Sequence, residues 1–394
     1  MPATRWVAKA RGWHAHFGGK VLVQHELLQT DILLEDTDIA EIGTTRSAGA
    51  GLDAHGLLVL PGMVDIHGDA FERQIMPRPN VSFDHGIALA ETDRQMLVNG
   101  ITTAYHGITW SWEPGLRGTD SAAAILRSVH QMAPRLAVDT RIHLRHETYN
   151  VDAESTLHGW LEEGLLGCLA FNDHTTGTIL VRHRPDKFRK MVERSGLPTE
   201  DFMVLVDRVA TRADEVMPSL RRLAATAQRL GVPLLSHDDM SPQMRTGFRA
   251  MGASIAEFPI NEETAASAAA HADPIVFGAP NVLRGGSHTG CPSATDMAQK
   301  GLCTILASDY YYPALLHAPF KLASTGAMPF GAAWALVASG PAQALGLEDR
   351  GAVMEGKRAD LLLVEPAGAT GPEVVGSITG GKLRYLTEPS RLRH

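Results

Sequence analysis

In the segment GMVDIHGD, His67 and Asp69 stand two residues apart at the end of an apolar run. Side chains at positions i and i+2 of a strand point to the same side, so this imidazole and this carboxylate can converge on one ion. Gly68 leaves space between them. Four further residues of the same chemical types end apolar runs of their own: Glu147 in TRIHLRHE, His174 in LLGCLAFNDH, His237 in VPLLSHDD and Asp309 in CTILASDY. Imidazole nitrogen and carboxylate oxygen without a thiolate form a donor set for a hard-to-borderline divalent metal. Zinc comes first, with manganese, iron, cobalt or nickel also accommodated. The expected chemistry is activation of a water molecule by one or two such ions, with Glu147 binding or bridging them and Asp309 taking the water's proton.

Other polar residues have plainer readings. His14 and His16 form a second H-x-H pair but lie in an N-terminal β region, away from these strand ends. Alternation back from Glu147 puts Arg145 and His143 on its face and His146 on the opposite one, which makes them candidates for the pocket wall. Asp173, Asp238 and Asp239 adjoin candidate ligands, where they can orient an imidazole or cap the following helix. The stretch Arg284-Gly285-Gly286-Ser287-His288-Thr289-Gly290 combines backbone amides, hydroxyls, an imidazole and a guanidinium after an apolar strand. Arg284, Ser287 and His288 are therefore candidates for holding substrate oxyanions, and Arg78, with Arg73, adds positive charge after the first strand.

Residues that converge from such distant positions need a scaffold that gathers strand ends. Between about residues 61 and 345, apolar strand-like runs alternate with polar helical stretches, the signature of βα units and a parallel sheet. Eight runs qualify, over 62–69, 100–108, 140–147, 165–174, 232–239, 254–260, 274–281 and 303–310. A ninth, FMVLVD at 202–207, finds no place among them. Eight such units imply an α/β fold of the (β/α)8 type, whose chemistry sits at the C-terminal strand ends. Residues 1–60 and 346–394 read as short strands separated by turn residues, and the two ends are expected to join in one small β domain.

Composition narrows the functional class. A net charge of -8 offers no global positive field for nucleic acid. The basic N-terminus is followed by no apolar signal core, and no stretch reaches the roughly 18 apolar residues of a membrane span. A cytoplasmic location without membrane partners is expected, and a homo-oligomer stays open. Cys168, Cys291 and Cys303 are odd in number and widely spaced, and read as reduced apolar residues.

The segments LPGMVDIHGDAFERQIMPRP, HLRHE, NDHTTG, SHDD, IAEFP, GAPNVLRGGSHTG, SDYYYPALL and PAQALGLEDRGAVMEGKRADLLLV together resemble the PhnM family of the amidohydrolase superfamily, from about residue 55 to residue 365. That resemblance implies a TIM-like barrel with a split β-sandwich, and divalent metals at His67, Asp69, Glu147, His174, His237 and Asp309. It also implies hydrolysis of a phosphorylated sugar, α-D-ribose 1-methylphosphonate 5-triphosphate, with release of pyrophosphate in phosphonate catabolism. HGDAFE and Thr148-Tyr149-Asn150 depart from the family pattern. Two alternatives use the same scaffold: an amide, cyclic-amide or amidine hydrolase, or a silent barrel acting as a binding partner.

Overall fold

The structure is a computed structural model that describes residues 14–15, 18–43, 51–78, 81–180, 189–287 and 290–393. Its centre is a sheet of eight parallel strands: β1 (Met63–Gly68), β2 (Ile101–Trp110), β3 (Asp139–Glu147), β4 (Cys168–Asn172), β5 (Leu234–His237), β6 (Ile255–Glu257), β7 (Ile275–Gly278) and β8 (Ile305–Ala307). Each strand pairs with its neighbour in chain order. The ring closes through a parallel bridge between Gly68 and Asp309. There the Asp309 amide donates to the His67 carbonyl at 2.9 Å, and the Asp69 amide to the Asp309 carbonyl at 3.0 Å. The same two contacts that shut the barrel thus fix His67, Asp69 and Asp309 beside one another.

Inside the barrel, alternate residues stack into a plug of Val64, Ile66, Tyr105, Cys168, Ala170, Leu235, Ile255, Val276, Ile305 and Ala307. The intervening residues, such as Ile108, Leu144, Leu169 and Leu234, face the surrounding helices. Strands buried on both faces therefore read as near-continuous apolar runs, which is why they stand out in the sequence. The run at 202–207 has a different period. Phe202, Val206 and Val209 are buried while Val204 is 69% exposed, a spacing of four and three that makes a helix, Thr199–Ala210.

A six-stranded sheet lies outside the barrel and mixes strands from both ends of the chain, in the order 382–386, 371–379, 361–368, 58–61, 20–23 and 26–29. Val21, Ile32, Leu34, Ile39, Val59, Leu361, Leu363 and Ile378 form the core beneath it. No helix among the described residues is long and apolar enough to cross a membrane.

Candidate metal centre

At the C-terminal mouth the inward positions change from apolar to polar. Glu257, the last residue of β6, is fully buried at the middle of this layer. Its Oε1 lies 2.7 Å from Nδ1 of His67 and its Oε2 2.7 Å from Nδ1 of His237. His143 completes the cluster, with Nε2 3.7 Å from the same carboxylate and Nδ1 2.9 Å from the Ile66 carbonyl. The rings of His67 and His237 stack at 5.5 Å. Burial would push the Glu257 carboxyl up, but the charges of His67 and His143 and the hydrogen bonds of His237 and His67 hold it well below the usual range. Each Nδ1–H that donates to this carboxylate leaves Nε2 of its ring with a lone pair, the form a metal ligand needs.

Among the described residues, three groups have donor atoms within 4.8 Å of one another: His67, Asp69 and Asp309; His174, His237 and Asp238; and His67, His237 and Glu257. The third shares its histidines with the other two, and both its carboxylate oxygens already accept from them. The donor chemistry of the first two, imidazole and carboxylate, fits a divalent ion. Asp309 is bent into the left-handed region at φ 54°, as are Asp238 at 58° and Phe258 at 54°, each just past a strand end. Such backbone strain in residues other than glycine collects where geometry serves function. Burial pushes the Asp309 carboxyl up to about 6, with His67 pulling it down and Asp69 pushing it further up.

Glu147 stands outside these groups. Its Oε1 accepts from the hydroxyl of Thr175 at 2.7 Å and from the Thr175 amide at 3.2 Å, while Oε2 lies 3.4 Å from Nδ1 of His174. It thus ties the start of helix Thr175–Leu180 to β3. His174 bridges Glu147 and Asp238, whose Oδ2 lies 3.3 Å from Nε2 of His174. Burial lowers the His174 pKa, but these two carboxylates raise it to about 9.

The neighbouring aspartates divide. Asp173 accepts from the amide and hydroxyl of Thr176 as a helix cap, and Asp239 is tied to Ser236 and Arg245, away from the cavity. His146 is buried on the opposite face of β3 with neither ring nitrogen bonded among the described residues. Gly107 on β2 faces His67, and a Cβ there would stand 3.3 Å from Nε2 of that ring.

A cavity of about 360 Å³ opens above the mouth, lined at its floor by Asp69, Arg145, His237 and Asp309 and on its wall by Arg284 and Ser287. Gly285, at φ 78°, ends helix Ala279–Arg284 in the left-handed conformation and turns the chain back to the cavity. Arg78 is exposed, pairs with Val81 and is absent from the lining, because the chain leads it outward after helix Glu72–Ile75. Arg73 is closer, 5.9 Å above the Tyr310 ring. His288 and His16 lie outside the described residues, as does the side chain of His14. Cys168 and Cys303 are buried, whereas Cys291 is half-buried on the cavity wall.

Sequence reasoning missed Glu257. It ends an apolar strand as the other candidates do, and the strand-end rule applied to IAEFP would have found it. Asn172, inward and fully buried at the end of β4, went unnoticed for the same reason, and neither of its side-chain amide atoms has a hydrogen-bond partner among the described residues.

Comparison with known proteins supplies a family context. No family model matches the chain. It is 29% identical over 352 residues to the α-D-ribose 1-methylphosphonate 5-triphosphate diphosphatase of Escherichia coli (strain K12), covering 87% of this chain and 93% of the relative. Among solved structures, N-acetylglucosamine-6-phosphate deacetylase from Pasteurella multocida superposes with a TM-score of 0.64 at 9% identity, over 95% of this chain and all of the other. The 5-methylcytosine deaminase from Klebsiella pneumoniae does so at 0.60 and 17%, over 96% and 98%. At these identities the structural likeness speaks for the fold alone.

Proposed function

We propose that this chain, a homologue of a ribose 1-methylphosphonate 5-triphosphate diphosphatase with an amidohydrolase barrel, is a metal-dependent diphosphatase acting on that substrate. Water would add to the α-phosphorus, the bond to the bridging oxygen would break, and 5-phosphoribosyl 1-methylphosphonate and pyrophosphate would leave. The observation that carries this reading is the adjacency of two features at one cavity: on its floor Asp69 and Asp309, of the donor group with His67, and on its wall the Arg284 guanidinium with Ser287. A cyclic amide would need no such wall, whereas a triphosphate would.

His67, Asp69 and Asp309 would hold a divalent ion, with His174 and His237 offering the position for a second and Glu147 supporting His174. Such an ion supplies the Lewis acidity that brings deprotonation of a water toward neutral pH. Asp309 would take that proton: burial pushes its carboxyl up to about 6, so its carboxylate form prevails at neutral pH. Arg284 would bind phosphate oxygens and offset charge as it builds on them.

The test is a product assay with purified protein, divalent metal and ribosyl 5-triphosphates, measuring pyrophosphate against orthophosphate. Pyrophosphate is expected. Orthophosphate alone would refute attack at the α-phosphorus, and turnover of a dihydropyrimidine instead would move the chain to the cyclic-amide hydrolases.

A further inference from the structure

The two donor groups that fit an ion without sharing a residue lie on either side of one side chain. Arg145, inward on β3 and only 6% exposed, directs Nη2 to Nε2 of His237 at 3.0 Å and places Nη1 3.8 Å from Oδ2 of Asp69. His237 belongs to one group and Asp69 to the other. Because Nδ1–H of His237 is committed to Glu257, the nitrogen facing the guanidinium carries the lone pair that His237 has to give. Arginine stays charged at any working pH and has no lone pair to coordinate with, so it can neither neutralise itself nor join an ion as a ligand. A divalent ion on His237 and this guanidinium would compete for the same few ångströms.

The geometry points to Arg145 as a built-in cation that takes the place of a second ion. The centre would then hold one divalent ion, at His67, Asp69 and Asp309, while the guanidinium contributes positive charge beside His237 and faces the cavity, whose lining it joins. The charge of this buried arginine is offset by Asp69, with Asp238 and Asp309 near enough to feel it, and its fork suits a phosphate oxygen on the cavity side. This inference rests on the metal-dependent reading above.

The test counts metal, not turnover. Full-length protein is loaded with zinc, freed of excess by gel filtration, and measured by elemental analysis. Wild type is expected to retain about one equivalent per chain, Arg145→Met to gain a second, and Arg145→Lys to stay near one. His237→Asn should keep the wild-type stoichiometry, since the ion is placed away from that ring. About two equivalents in wild type, a requirement for His237, or an Arg145→Met variant that folds by circular dichroism yet stays at one would each overturn the inference. If Arg145→Met does not fold, the wild-type and His237→Asn values still decide. Wild type that retains no metal would instead sink the metal-dependent reading itself.

Discussion

Nδ1 of His67 lies 2.7 Å from Oε1 of Glu257, and this contact decides which edge of the imidazole the site can use. The other oxygen of that carboxylate does the same for His237, so one residue sets the tautomer of a histidine in each candidate group. Glu257→Gln would keep the size but offer one acceptor where two N–H groups need one each. Metal affinity is expected to fall about 10- to 100-fold, the usual cost of losing an orienting partner. A metal titration with a competing chelator reads it directly, and unchanged affinity would show that the histidines orient themselves.

Asp309→Asn should leave KM near its wild-type value and lower kcat by about 10²- to 10⁴-fold, because an amide cannot accept the proton. In wild type, kcat/KM should rise as pH increases and Asp309 loses its proton. Its carboxyl titrates at about 6, and a cation beside it moves that midpoint down, so the acid limb falls at or below that pH. A limb well above 7 would assign the base to another group.

Gly107→Ala places a methyl 3.3 Å from Nε2 of His67. The imidazole must give by a few tenths of an ångström, and a displaced ligand costs roughly 10-fold or more in rate. Thermal unfolding should scarcely change. A variant that is as active as wild type would mean that His67 does not use that edge.

Arg284 lines the cavity, and Arg78 does not. Replacing Arg284 by Met should raise KM for the triphosphate by about 10- to 100-fold, the worth of one or two hydrogen bonds to a charged group. Arg78→Met should leave KM within about twofold. Steady-state kinetics on the two variants side by side separates a wall residue from a solvated one.

His106, packed beside Phe71 on the outer face of β2, is buried with neither ring nitrogen bonded among the described residues, and burial lowers its pKa to about 4 from an ordinary 6.5. The unfolded chain therefore binds a proton that the folded protein refuses. Stability is full above pH 6.5 and is lost as pH falls from there toward 4, by up to ~3 kcal/mol from this residue. His106→Leu should flatten that part of the profile in urea unfolding at pH 7 and pH 5. An unchanged slope would place the acid sensitivity elsewhere.

Much of the architecture is legible in the chain because strands buried on both faces must be apolar throughout, so a polar residue at the end of such a run announces the mouth of the barrel. His67, Asp69, His237 and Asp309 could be named on that ground, and alternation alone separated His143 and Arg145 from His146. Alternation gives the face of a strand but says nothing about what stands across the barrel. The stagger of eight strands around the ring decided that Glu257 meets two histidines rather than one, that Glu147 turns to Thr175, and that Arg145 stands between Asp69 and His237. The connections beyond the strands sent Arg78 outward after helix Glu72–Ile75 and kept Arg284 on the cavity wall at the end of helix Ala279–Arg284. Period is a local property carried by each segment, whereas partnership across a closed sheet depends on register and curvature summed over all eight strands, and no segment contains that sum.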